Sequence, residues 1–117
     1  MELQFTLEGD RPAEKAIALK SFIEEHKLDG VQSVEVERGT AKAGDQGIAT
    51  AIGSVITKIV DSSGTIKGIV QVISKFLELF DGRIIINNNK GEKIVIPGGK
   101  KLSSDQIEKI ALQFSNH

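Results

Sequence analysis

Apolar and polar residues alternate from Glu2 to Glu8, with Leu3, Phe5 and Leu7 on one side and Gln4 and Thr6 on the other. A period of two predicts a strand with one buried face. The period then lengthens. Ala16, Leu19, Phe22 and Ile23 recur at helical spacing and predict a helix that runs to about Lys27. Asp10 is its expected N-cap, Pro12 falls in the first turn, and Asp29-Gly30 supplies a left-handed stop. Val34 and Val36 alternate with Glu35 and Glu37 in a second one-sided strand. The stretch from Arg38 to Gln46, with Gly39 and Gly44, reads as a mobile loop.

From Gly47 to Phe80 the chain is rich in apolar residues and poor in charge. Two apolar helices are expected there, separated by Asp61-Ser62-Ser63-Gly64-Thr65. The first covers 47–60 and turns Ile48, Ile52, Val55, Ile56 and Ile59 inward. The second covers 65–80, capped by Ser63 or Thr65, with a stripe of Ile66, Ile69, Ile73, Phe76 and Phe80 beside Val70 and Leu77. Asp81-Gly82 ends it. Ile84, Ile85 and Ile86 then read as a central strand buried on both faces. Asn88-Asn89-Lys90-Gly91 is a turn and Lys93 to Ile96 the returning strand, a hairpin. After a second turn at Pro97-Gly98-Gly99, Ser103 and Gln106 form a capping box. The helix behind it buries Ile107, Ile110, Ala111 and Phe114. The expected order is β-α-β-α-α-β-β-α. It implies a single α+β domain over 1–117, a two-layer sandwich with a four-stranded mixed sheet and helices mainly on one face.

Composition narrows the function classes. A chain of 117 residues without cysteine has no disulfide framework and no thiolate metal site, which fits a cytoplasmic location. The N-terminal residues lack the basic-then-apolar pattern of a signal peptide. Net charge is -1, with acidic excess in residues 1–40 and basic excess in 81–117. That polarity suits a head-to-tail contact between copies. It is too weak for nucleic-acid binding, and no aromatic platform offers itself to bases.

Candidate chemistry is sparse. Pro97-Gly98-Gly99-Lys100-Lys101 lacks both the upstream glycine and the trailing Ser or Thr of a phosphate loop. His26 and His117 are the two histidines, and neither has the partners of a catalytic triad or a metal site. His26 is instead expected at a helix C-terminus, where the dipole favours a cation. Glu24-Glu25 and Glu35/Glu37 fall on solvated faces. Gly64 and Gly68 make a small-residue spacing that would let helices approach closely. No catalytic, cofactor or metal residue is expected, and the chain is read as not an enzyme. A ligand pocket lined by Asn87, Asn89 and Lys100 is the reading that would favour an enzyme or a sensor instead.

The opening Met1-Glu2-Leu3-Gln4-Phe5-Thr6-Leu7-Glu8-Gly9-Asp10, the segment Leu28-Asp29-Gly30, the strand Val34-Glu35-Val36-Glu37-Arg38 and the loop Ala43-Gly44-Asp45-Gln46-Gly47 resemble a bacterial family, effector-associated constant component 1. The resemblance implies a non-enzymatic adaptor or recruiting module of prokaryotic conflict systems. Its implied partner is an effector such as a caspase-like or trypsin-like peptidase. On the residues themselves, Ile52, Val55, Ile56, Ile59, Ile66, Ile69, Ile73 and Phe76 are the candidates for protein interaction. Whatever part of this stripe is not spent on the core would meet a second copy or an effector. The alternative is a membrane-acting module that inserts residues 47–80 as a helical hairpin.

Overall fold

A computed structural model describes residues 1–39, 50–88, 90–99 and 101–115. The elements are β1 (Glu2–Gly9), α1 (Pro12–Glu25), β2 (Val31–Gly39), β3 (Thr50–Ile59), α2 (Ser63–Leu77), β4 (Gly82–Asn88), β5 (Lys93–Pro97) and α3 (Ser104–Ser115). The class is α+β, as the periodicities predict. The sheet has five strands in the order β2-β3-β1-β4-β5, and all pairings are antiparallel. The expected four-stranded mixed sheet is corrected by one element, β3.

Residues 47–60 were expected to be helical, and residues 50–59 form a strand. The positions Ile52, Val55, Ile56 and Ile59 do fit a helical stripe. Six of the ten residues of β3 are β-branched, however: Thr50, Ile52, Val55, Ile56, Thr57 and Ile59. Such side chains lose rotamer freedom in a helix and fit a pleated surface well. The true period is two. Val55, Thr57 and Ile59 are buried, while Ile56 is half-buried and Lys58 exposed. Thr57 hides the alternation because a polar residue occupies a core position. In this fold residues 50–59 are thus a strand and not the first arm of a helical hairpin. Residues 50–59 sit between β2 and β1, hydrogen-bonded to both. Among the described residues no helix is long and apolar enough to cross a membrane.

The topology consists of two interleaved split β-α-β units. β1 and β2 are joined through α1 with β3 between them, and β3 and β4 are joined through α2 with β1 between them. This is the ferredoxin-like arrangement, extended here by the β4–β5 hairpin and α3. One apolar core fills the space between sheet and helices. Leu3, Phe5 and Leu7 of β1, Ile84 and Ile86 of β4, and Ile96 of β5 meet Ala16, Leu19 and Ile23 of α1, the α2 stripe, and Ile107, Ile110, Ala111 and Phe114 of α3. Ile85 departs from expectation: it is half-buried on the opposite side of the sheet, so β4 is covered on one face only.

The ends of elements hold smaller corrections. Arg11, with φ 52°, takes the N-cap position of α1 in place of Asp10, and no side chain caps the helix. Ser62 caps α2 in place of Ser63 or Thr65, its hydroxyl accepting from the Thr65 amide at 3.2 Å. The capping box of α3 forms as expected, with Ser103 N–H donating to Gln106 Oε1 at 2.9 Å and Gln106 N–H to Ser103 Oγ at 3.2 Å. At the β4–β5 turn, Asn88 Oδ1 accepts from the amides of Lys90 and Glu92. The loop 40–46, Ile48, Asn89, Lys100 and His117 lie outside the described residues.

Candidate interaction surface

Alternation along the strands gives the sheet two unlike faces. The odd positions of β1 and β3 and the even positions of β4 point to the helices. Among the described residues the other face has no helix over it. Its residues form rows fixed by the strand register. One row runs Glu35, Ile56, Gln4, Asn87, Lys93 from β2 to β5. The next runs Ser54, Thr6, Ile85, Val95. Toward one end lie Glu8, Arg83 and Pro97, and toward the other Ser33, Lys58 and Glu2.

The polar groups in the middle of this face are largely satisfied within the chain. Gln4 Nε2 donates to Glu37 Oε1 at 2.7 Å and to Ser54 Oγ at 2.9 Å. Arg83 Nε donates to Glu8 Oε1 in an ion pair that joins β4 to β1. Asn87 Oδ1 is buried without a hydrogen-bond partner. Between these groups lie the half-buried Ile56 and Ile85 and the exposed Ile52 and Val95, 38% and 48% accessible. Glu35 and Lys93, at opposite edges of one row, are exposed and form no ion pair with other described residues.

The eight interaction candidates divide between the two faces. Val55, Ile59, Ile66, Ile69, Ile73 and Phe76 belong to the core. Phe76 also stacks against Phe22 and Phe80, with ring centroids 5.8 and 6.0 Å away. None of these six can touch a partner while the chain keeps this fold. Ile52 and Ile56 lie on the uncovered face. Sequence reasoning missed their neighbours Ile85 and Val95. The signal for Val95 was present, because Ile94 and Ile96 alternate with it. Ile85 was hidden inside a triplet of isoleucines.

The other candidate groups do not converge on a site. His26 lies just past α1, exposed, with its ring 4.6 Å from that of Phe22 and Nδ1 2.8 Å from the Phe22 carbonyl oxygen. A carbonyl only accepts, so Nδ1 carries the proton. Glu24 pairs with Lys20 at 3.0 Å on the surface. Glu35 and Glu37 differ in partner, since only Glu37 is held by Gln4. Gly98 and Gly99 tie their turn to the fold, donating to the carbonyls of Gly82 and Leu77 at 2.6 and 2.8 Å. Among the described residues no second helix packs on Gly64 and Gly68: a Cβ placed at Gly64 would meet open space, and one at Gly68 would lie 3.7 Å from Leu28. Among the described residues no group of three or more His, Asp or Glu could hold a metal ion.

Compared with protein-family models, with curated proteins and with solved structures, the chain matches none.

Proposed function

We propose that the chain is a non-enzymatic adaptor or assembly module that works beside an effector, with a caspase-like or trypsin-like peptidase as the partner implied by its resemblance. The observation that supports this reading is the uncovered sheet face, where Ile52, Ile56, Ile85 and Val95 lie near Gln4, Ser54, Glu8 and Arg83, which are already bonded within the chain. A face of this kind is cheap to dry. Apolar area leaves water favourably, and few polar atoms lose a hydrogen bond when covered. The chain has no Trp or Tyr, the aromatic anchors common at tight interfaces, so the contact is expected to be of moderate strength.

Co-expression with a peptidase of either kind encoded beside the chain tests the proposal. The two proteins should co-purify, and Ile85→Lys should abolish the association while leaving the circular dichroism of the chain unchanged. Co-purification that is indifferent to Ile85→Lys and Val95→Lys would remove the face from the proposal. Failure of the unmodified chain to co-purify would remove the adaptor role.

A further inference from the structure

We infer that the uncovered sheet face is covered by a second copy of this chain, in a two-fold sandwich whose axis runs along β1. The inference rests on reading that face as a contact surface and names its occupant. β1 is the central strand of the order β2-β3-β1-β4-β5. A two-fold rotation about an axis parallel to β1, midway between two facing sheets, sets β2 over β5 of the other copy and β3 over its β4.

The charges select this axis. Glu35, Ile56, Gln4, Asn87 and Lys93 lie in one register row across all five strands. The rotation lays that row over itself in reverse, so Glu35 of each copy faces Lys93 of the other, twice per dimer. These are exposed, opposite charges at the ends of that row, and neither forms an ion pair with another described residue. Facing sheets stand ~10 Å apart, a gap that a glutamate and a lysine side chain span together. The alternative axis, across the strands, would stack β2 on β2 and β5 on β5, with glutamate near glutamate and lysine near lysine. Like charges facing one another oppose that pairing.

The interior of the sandwich suits burial. The strand carrying Ile52 and Ile56 lies over the strand carrying Ile85. Gln4 and Thr6, nearest the axis, meet their own copies, and Gln4 has already spent its donors on Glu37 and Ser54. Glu8 and Glu2, also on β1, meet their own copies as well; Glu8 is already paired with Arg83, and Glu2 stands beside Lys58 in the register at the far end. Five strands ~4.8 Å apart and about seven residues long at ~3.4 Å each present roughly 550 Å² per copy in projection. A total near 1,100 Å² sits at the low end of specific interfaces and suits a reversible dimer.

Sedimentation equilibrium with interference optics, needed because Trp and Tyr are absent, tests this with charge-reversal variants. Glu35→Lys and Lys93→Glu each place like charges opposite one another, and each should raise the dissociation constant at least about tenfold. Both side chains are exposed, so the folded circular dichroism should persist. An equimolar mixture of the two variants should dimerise again, because every facing pair is then opposite in sign. The doubly reversed chain should do the same. A wild-type chain that stays monomeric up to roughly 1 mM, or a dimer indifferent to both reversals, would overturn the inference. A monomeric chain that still binds the peptidase through Ile85 overturns the dimer and leaves the adaptor role standing. A dimer that ignores the peptidase does the opposite.

Discussion

Thr57 is the residue least at ease in this molecule. It lies fully buried on the core side of β3, opposite Leu3 and Val34, and its hydroxyl has no hydrogen-bond partner. A buried hydroxyl without a partner costs about 1–3 kcal/mol. Thr57→Val replaces it with a methyl of similar shape, so urea denaturation should show a gain of about 1 kcal/mol. A loss of that size would mean the hydroxyl finds a partner after all. Asn88 is the opposite case. It is 7% accessible and its amide bonds the backbone of Lys90 and Glu92 and the Glu92 carboxylate. Asn88→Ala should therefore destabilise by roughly 1 kcal/mol, since it removes the acceptor of the Lys90 and Glu92 amides in the β4–β5 turn. Gly82 is required by its backbone as well as by space. It has φ +151°, and an added Cβ would run into the Glu8 carbonyl oxygen and the Phe80 ring.

The elements differ in how much of them is local. α2 carries its own instructions: Ser62 caps it, and the stripe Ile66, Ile69, Ile73, Phe76 turns inward as its spacing predicts. Ser62→Ala should cost about 1 kcal/mol by loss of the cap to the Thr65 amide, visible as a lowered urea midpoint. Ile69→Asp should abolish folding, because Ile69 is 0% accessible and an aspartate there has no partner. Ile56→Asp, on the uncovered face, should leave a folded chain. The pair of circular dichroism spectra separates core from surface, and a folded Ile69→Asp variant would contradict the packing described. β3 carries no such local signature. Its four isoleucines and valines at 52, 55, 56 and 59 satisfy helical spacing, and only its β-branched density argues for a strand.

At the scale of the whole molecule, the three helices among the described residues lie on one side of a five-stranded sheet, and none of them covers the other side. Five amphipathic strands need cover on only one face to build a core, so the second face is open to another use. That face is where function is expected, and its composition separates it from an ordinary solvated sheet. Isoleucine and valine stand in the two middle rows, with Glu35 and Lys93 at opposite ends of one of them and Glu2 and Lys58 in the row beyond. Val95→Lys should leave stability within about 0.5 kcal/mol of the parent by urea melt, as for other exposed positions. A drop of several kcal/mol would show Val95 to be part of the core.

The amino-acid sequence by itself determined most of the elements. Strict alternation marks β1, and the helical stripes mark α1, α2 and α3. Asn-rich and Gly-rich turns mark the β4–β5 hairpin, and Ser103 with Gln106 marks the start of α3. These features are local, set by side-chain periodicity and by hydrogen bonds spanning a few residues. Only the tertiary structure decided that residues 50–59 are a strand, that β3 lies between β2 and β1, and that Ile85 is turned away from the helices. The backbone partners of β3 come from residues about fifty positions before it and from β2 across the 40–49 connection. A strand is stabilised by the neighbours it pairs with, so its identity is set by contacts that no window of the sequence contains.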